Sequence, residues 1–200
     1  MIMFTFTEYD LGNSPMVSTT EGSLSFSLNT ERSFMDLNEL TSLTVSDANG
    51  KDIPGGSIDW KKKTIEVMGA TKPWAEVKRK PGGLLSTSRE WEWAGKKYAT
   101  SSKNRIWTIK SGEETIAVLT PLKIHAFKKD ELATLTFYVN SSKKEMIFII
   151  FAILFATLRL PAREKPPTLK DIGGEAAATG ASNVAGYAAT TAVSSCCTVQ

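Results

Sequence analysis

The sequence predicts a mainly β domain in which a sheet surrounds one apolar helix, followed by a disordered tail. Three observations predict this fold class. From Met3 to Asn140 the chain has short apolar and polar runs separated by turn residues, which is typical of many short strands. The segment Met146–Leu158 then contains thirteen residues without a charge. From Pro161 onward Ala, Gly, Ser, Thr and Pro dominate, and such a composition buries too little apolar area to offset its conformational entropy.

The strand predictions rest on period-two alternation and on the turn residues between the runs. Ser23–Leu28 alternates polar and apolar residues, and Asn49-Gly50 favours the left-handed backbone of a hairpin turn. In Arg89–Trp93 the two tryptophans share one face and the two glutamates share the other, ahead of a tight turn at Gly95. About nine to twelve strands at this spacing indicate a sandwich or a barrel. The other predicted strands are Leu43–Val45, Ile58–Trp60, Thr64–Val67, Trp74–Val77, Arg105–Lys110, Thr115–Thr120 and Ala133–Val139, with Lys123–Lys129 left open.

The apolar segment Met146–Leu158 predicts a helix inside the domain. A bilayer crossing needs about 20 apolar residues, so this segment is too short to span a membrane. A strand usually has about 5 to 6 residues, so the length favours a helix. A helix that is apolar on every side must be surrounded on every side, and a sheet wrapped around it would do so. We therefore predict a β domain over residues 1–160 with a central helix over residues 144–160.

The tail, residues 161–200, predicts a lipid attachment site. It ends in a Cys-a-a-X sequence, Cys-Thr-Val-Gln, which prenyltransferases read. Cys197 supplies the thiol, Val199 the aliphatic residue, and Gln200 the last residue that is associated with farnesyl transfer. One prenyl chain holds a protein only weakly, so a second signal is expected. Palmitoylation of Cys196 would be one such signal, and a basic face of the domain would be another.

Charge is distributed unevenly along the chain. The formal net charge is +3, but residues 1–60 carry two basic and nine acidic side chains, whereas residues 61–160 carry nineteen basic and nine acidic ones. A basic face is therefore a candidate contact for anionic lipid head groups, to which each cation contributes about 1 kcal/mol. Solvated turns are the simpler explanation of any single cluster. No single-sign block is long enough to predict a nucleic-acid-binding tail. The two clusters that we single out are Lys61, Lys62 and Lys63, and Lys78, Arg79 and Lys80; Lys96-Lys97 and Lys128-Lys129 are further ones.

The side chains do not predict an enzyme. His125 is the one histidine, and its spacing offers no catalytic partner, so it is interpreted as an ordinary barrel histidine. The two cysteines are adjacent near the end of the sequence, which excludes a disulfide within the fold and a His/Cys metal site. The glycine pairs lack the Lys-Ser/Thr of a phosphate-binding loop. Glu90 and Glu92 share a strand face, as two catalytic acids would, but a solvated face explains them more simply. We expect no catalytic residue, no metal and no cofactor.

The order of motifs in the second half of the chain resembles the tubby C-terminal-like superfamily, which includes the phospholipid-scramblase and LURP-one-related proteins. The closer similarity is to a fungal family of uncharacterised tubby-like domains, and it covers about Met3 to Leu160. It implies a closed antiparallel barrel around a hydrophobic central helix, and no known enzymatic activity. Tubby proteins bind phosphoinositides through basic residues, but their lipid-binding motif does not match this chain, so no binding residue is carried over. The motifs are Arg89–Tyr98, then Trp107, then Thr115–Pro121, then Ala133–Phe137 before the apolar helix.

We expect a non-enzymatic, prenyl-anchored binding or scaffold module on the cytoplasmic face of a membrane. Met1–Thr7 has no basic flank, long apolar core or cleavage site of a secretory signal, which favours the cytoplasm. The expected partners are the membrane lipid surface and a prenyltransferase, with no nucleic acid. Two alternatives stay open. One is a scramblase-like protein that inserts residues 146–158 into the bilayer, and the other is a soluble ligand carrier, which is disfavoured because the helix should fill the barrel.

Overall fold

One antiparallel sheet and one long buried helix form the domain in the computed structural model, which describes residues 1–19, 24–34, 37–47, 49–79, 88–126 and 128–158. The predicted mainly β class is confirmed. The strands are β1 (Ile2–Phe6), β2 (Pro15–Ser18), β3 (Ser25–Arg32), β4 (Asn38–Ser46), β5 (Asp52–Asp59), β6 (Thr64–Val67), β7 (Ala70–Pro73), β8 (Lys78–Arg79), β9 (Arg89–Trp93), β10 (Lys96–Lys103), β11 (Ile106–Ser111), β12 (Glu114–Thr120) and β13 (Thr134–Phe137). The helices are a 3-10 turn (Leu11–Asn13), α1 (Trp74–Val77) and α2 (Lys143–Leu158).

The sheet consists of two meanders joined through the first and the last strand. Its order is β7-β6-β5-β4-β3-β2-β1-β13-β12-β11-β10-β9-β8, and neighbouring strands are antiparallel. β1 pairs with β13, with Phe4 opposite Leu135. Apart from this one pair, strands that are neighbours in the sheet also follow each other in the sequence.

The two edge strands, β7 and β8, are neighbours in sequence although they lie at opposite ends of the strand order. Only the four residues of α1 separate Pro73 from Lys78. Twelve spacings of about 4.8 Å would separate the edges by about 58 Å in a flat sheet. Five residue steps reach at most about 18 Å even when fully extended. The sheet must therefore curl until its edges nearly meet, although among the described residues no hydrogen-bonded ladder closes it between β7 and β8.

Helix α2 lies within this curled sheet. Its side chains from Met146 to Ala156 are all buried, with at most 6% of any of them exposed. At 3.6 residues per turn, eleven consecutive buried positions cover every side of the helix, as its uniform apolarity predicted. Phe155 contacts Trp74 of α1 and Trp91 of β9 edge to face, with ring centroids 4.8 and 5.4 Å away. The predicted helix is thus confirmed and begins at Lys143, whereas residues 159 and 160 lie outside the described residues.

The start of α2 is tied to β10 by polar contacts. The backbone N–H of Glu145 donates to Ser142 Oγ at 3.2 Å, a capping contact at the N-terminus of the helix. The Glu145 carboxylate accepts hydrogen bonds from the Tyr98 hydroxyl at 2.8 Å and from Lys96 Nζ at 3.1 Å. Burial, together with this hydrogen bond to a carboxylate, raises the pKa of Tyr98. The carboxylate also lies where the helix dipole favours negative charge.

One predicted strand is wrong, because Trp74–Val77 forms α1 instead. Trp74 and Val77 are both buried, at 6% and 1% exposed. Helical spacing of three residues places both side chains on one face, whereas a strand would point them to opposite faces. Pro73 precedes them with φ −63°, which suits the residue before a helix. The segment thus turns the chain from one sheet edge to the other.

The other differences from the predicted strands are small. Thirteen strands are described rather than nine to twelve, and β2, β7 and β8 are among those that no predicted run covers. In the described part of Lys123–Lys129, which was left open, the only pairing is an isolated bridge between Lys123 and Glu131. Arg89–Trp93 forms β9 with its tryptophans buried and its glutamates exposed, as predicted. The tail, residues 161–200, lies outside the described residues.

Candidate functional site

The predicted lipid-contact residues are only partly described. Lys61, Lys62, Lys63, Lys78 and Arg79 belong to the described residues. The lipid attachment cysteines, Cys196 and Cys197, and Lys80 lie outside them. The structure therefore places the basic clusters but not the anchor.

The three consecutive lysines, Lys61 to Lys63, form the turn between β5 and β6. Lys61 Nζ lies 2.7 Å from Glu39 Oε1, and Lys62 Nζ lies 3.3 Å from Asp59 Oδ2. Asp59 Oδ1 also accepts the backbone N–H of Lys62 at 2.7 Å, which lowers the pKa of Asp59. The Lys61 and Lys62 side chains are 69% and 81% exposed, so these ion pairs are weak and leave the cations accessible.

This turn packs beside the last described turn of α2. The Lys63 carbonyl accepts the backbone N–H of Trp74 at 2.9 Å. Trp60, which precedes the turn, stacks on Phe155 with ring centroids 5.5 Å apart. Lys78 Nζ lies 4.5 Å from the Phe155 ring centroid and 5.6 Å from that of Trp74, within cation–π range. We call this part of the domain the Phe155 end, defined by Lys61–Lys63, Lys78 and Phe155.

The tip of the β3–β4 hairpin lies at the same end. The backbone N–H of Trp60 donates to the Glu39 carbonyl at 3.0 Å, and Glu39 follows the tip by two residues. At the tip, Phe34 is 97% exposed and Leu37 is 60% exposed. Sequence reasoning missed both residues. The signal in the sequence was an apolar pair, Phe34 followed by Met35, in a stretch without strand alternation.

Arg79 belongs to a different surface. Because side chains alternate along a strand, β8 points Lys78 toward Phe155 and Arg79 outward. Arg79 is opposite Glu90 in the β8–β9 register, and both line a groove of about 320 Å³. Glu92 and Lys97, another opposed pair, line it as well, together with Glu76. Three carboxylates and two cations make this groove mixed in charge, so Arg79 does not extend the basic face.

His125 has a carboxylate partner, contrary to the expectation from its spacing. Its Nε2 lies 3.1 Å from Glu131 Oε1, and both residues belong to the loop between β12 and β13 rather than to a strand. Lys123 Nζ and Lys128 Nζ lie 3.0 and 3.2 Å from the same carboxylate. These three donors, Lys123 first, lower the pKa of Glu131 to about 2. The partner was missed because the loop returns on itself at the Lys123–Glu131 bridge, which spacing alone does not indicate.

No protein-family model, curated protein or solved structure matches the chain. The candidate site is therefore defined by its geometry. Within the described ranges no helix is both long and apolar enough to cross a bilayer. In the same ranges no three His, Cys, Asp or Glu side chains lie close enough to hold a metal ion. The distinctive surface is the Phe155 end, which combines exposed lysines, an exposed apolar hairpin tip and the last described turn of α2.

Proposed function

We propose that the protein is a non-enzymatic, membrane-associated binding or scaffold module, held on the cytoplasmic face of a membrane by a farnesyl group on Cys197. One observation carries the proposal. The described domain ends at Leu158, three residues after Phe155, so the remaining 42 residues start from the end that carries Lys61–Lys63 and Lys78. A basic surface and a lipid-anchored segment at the same end of the domain can contact the same membrane together. The proposal takes Gln200 as the C-terminus.

The length of the tail explains why both signals are needed. The 42 residues after Leu158 can span up to about 150 Å when fully extended. The electrostatic attraction of lysines to anionic lipids falls off over a Debye length of about 8 Å. An anchor alone would therefore not hold the domain within this range of the surface. The exposed lysines of the Phe155 end supply the electrostatic attraction that holds the domain at the membrane surface. The anchor raises the effective concentration of these lysines near that surface.

We further propose that the curled sheet is a tubby-like barrel whose seam between β7 and β8 is spanned by α1 rather than by strand pairing. The curl and the buried helix support this proposal. Lys72 of β7 also reaches across the seam, with its Nζ 5.4 Å from the ring centroid of Trp93 in β9. The scramblase-like alternative would require α2 to leave the sheet and expose eleven buried side chains. A ligand carrier would require the interior that α2 occupies.

Metabolic labelling with an isoprenoid analogue in the native host tests the anchor. The wild-type protein should take up the label and sediment with membranes, and Cys197→Ser should do neither. Cys196→Ser should keep the prenyl label but release part of the protein from membranes, because one of the two anchoring signals is lost. Removing both cysteines should make the protein soluble, whereas the scramblase-like alternative predicts that it stays in the membrane. A wild-type protein without label would refute the proposal.

A further inference from the structure

We infer that β7, α1 and β8 form one strap, residues 70–79, which closes the curled sheet and detaches from it as a unit while the other strands stay folded. The inference goes beyond the proposed function and does not depend on a lipid anchor. Detachment uncovers the Phe155 ring, which packs on Trp74. The strap thereby controls access to one side of the buried helix α2.

Each strand of the strap is hydrogen-bonded on one side only. In the described sheet β7 pairs with β6, β8 pairs with β9, and these two strands end the strand order. Every other strand has a neighbour on both sides. The β8 ladder contains only two residue pairs, Lys78 with Trp91 and Arg79 with Glu90. Detaching the strap therefore breaks one ladder for each of its strands, whereas detaching an inner strand breaks two.

The sequence of β7 disfavours a ladder along its free edge. The backbone N–H of Trp74 donates to the Lys63 carbonyl at 2.9 Å, on the side of β6. Because backbone groups alternate between the two sides of a strand, the N–H of Lys72 also points toward β6, whereas Thr71 and Pro73 face the free edge. Proline has no N–H and is typical of unpaired edges, so this edge offers a single donor.

Side chains rather than backbone pairing hold the strap against the rest of the domain. Trp74 contacts the Phe155 ring edge to face at 4.8 Å, and its Nε1 donates to the Thr64 carbonyl at 3.2 Å. Across the seam, Lys72 Nζ lies 5.4 Å from the ring centroid of Trp93, a weak cation–π contact. The buried Nε1 of Trp93 has no hydrogen-bond partner among the described residues, which makes closure less favourable at this point.

Helix α1 couples the two strands of the strap. The backbone N–H of Lys78 donates to the Trp74 carbonyl, and this helical bond links the end of β7 to the start of β8. Trp74 and Val77 lie on the same turn and are 6% and 1% exposed. When this buried turn leaves the sheet, both strands lose the packing that positions them. They should therefore open together rather than fray as two separate edges.

Native-state hydrogen exchange of the unprenylated full chain, followed by NMR at low urea concentrations, tests the inference. The amides of Lys72 and Lys78 should show the same opening equilibrium and the same dependence on urea, although they belong to opposite ends of the strand order. Both should open at least about 100-fold more often than the amide of Leu119, because a local opening is less costly than unfolding of the domain. Leu119 of β12 is paired on both sides, with Trp107 and with Leu135.

Two matched valine replacements separate detachment of the strap from unfolding of the domain. Val77 of α1 and Val45 of β4 are 1% and 0% exposed, so each alanine removes the same buried groups. Val77→Ala should raise all three opening equilibria by about fifteenfold, because the closed state loses packing that every opening breaks. Val45→Ala should raise the Leu119 opening by a similar factor and leave the two strap openings unchanged, because β4 stays folded when the strap detaches.

Three results would overturn the inference. The first is that the strap amides open no more often than Leu119. The second is a different opening equilibrium or urea dependence for Lys72 and Lys78, which would mean that the two edges fray separately. The third is a Val45→Ala variant that raises the strap openings as much as the Leu119 opening. None of these results bears on prenylation, whose failure appears only in the isoprenoid labelling.

Discussion

Gly56→Ala should destabilise the domain much more than Gly50→Ala, although both glycines have positive φ. The φ angles are +148° at Gly56 and +72° at Gly50. A Cβ on Gly56 would overlap the Glu66 carbonyl oxygen in β6 and lie 3.1 Å from Phe151 Cε2 in α2. A Cβ on Gly50 would meet nothing within 4 Å. The pair therefore compares a turn glycine, where backbone strain is the one expected cost, with a glycine where strain is added to the close approach of β5 to β6 and α2.

The magnitudes follow from these two effects. An alanine at positive φ is strained by about 1 kcal/mol, which is the whole expected effect of Gly50→Ala. Forcing an extra methyl group into a packed site adds about 1–3 kcal/mol, so Gly56→Ala should lose about 2–4 kcal/mol. For a domain of about 160 residues, each kcal/mol shifts the Tm by about 3 °C. The expected shifts are therefore about 3 °C for Gly50→Ala and about 6–12 °C for Gly56→Ala.

Urea unfolding followed by circular dichroism measures both free energies. The slope of the transition should be the same for the wild type and both variants, because neither change alters the surface exposed on unfolding. Equal losses of stability for the two variants would refute the reasoning, since β5 would then not approach its neighbours as closely as the contacts at Gly56 require.

Three further predictions concern a turn and two ionisable groups. Arg105→Gly should stabilise the domain by about 1 kcal/mol in urea unfolding, because Arg105 has a φ of +65° that glycine adopts without strain. A lower free energy of unfolding in this variant would contradict the left-handed turn. Tyr98 should ionise above its ordinary pKa of 10.0, so the free energy of unfolding should fall as the pH rises above 10.0. Tyrosinate absorbance measures the pKa, and Glu145→Gln should keep most of the shift because burial is the larger cause. Glu131 should titrate with a pKa of about 2 in carboxyl NMR spectra, so its stabilising contribution is present above pH 4.5 and is lost as the pH falls toward 2. Lys123→Met should raise this pKa, and an unchanged value would contradict the ion cluster.

The architecture could be predicted where a pattern has one physical solution. Thirteen uncharged residues are too few to cross a bilayer and too many for a typical strand, so Met146–Leu158 had to be a covered helix. The pattern of Trp74–Val77 has more than one physical solution. Four residues with apolar ends fit either a short strand or one helical turn, and only the position of the segment between two sheet edges decides between these two structures. That position depends on pairings between distant strands, which local patterns do not contain.

The candidate site was predictable in its charges but not in its shape. Lys61, Lys62 and Lys63 form an exposed turn, as a lysine run between two strands indicates. Lys78 and Arg79 look like a single cluster in the sequence, yet strand alternation sends one toward Phe155 and the other into a mixed-charge groove. Exposure of an apolar residue cannot be read from its type, because the same side chain is usually buried.

If affinity depends on the Phe155 end rather than on net charge, two lysines that differ only in position should behave differently. Lys62 lies in the lysine turn, and Lys51 lies in the β4–β5 turn, at the other end of β5, about 26 Å away along a strand of eight residues. Lys62→Ala should weaken binding to anionic vesicles about fivefold at low salt, because one cation within the Debye length is lost. Lys51→Ala removes the same charge but should leave binding unchanged. Equal weakening by both variants would mean that attraction follows net charge, and the domain would then have no preferred orientation on the membrane.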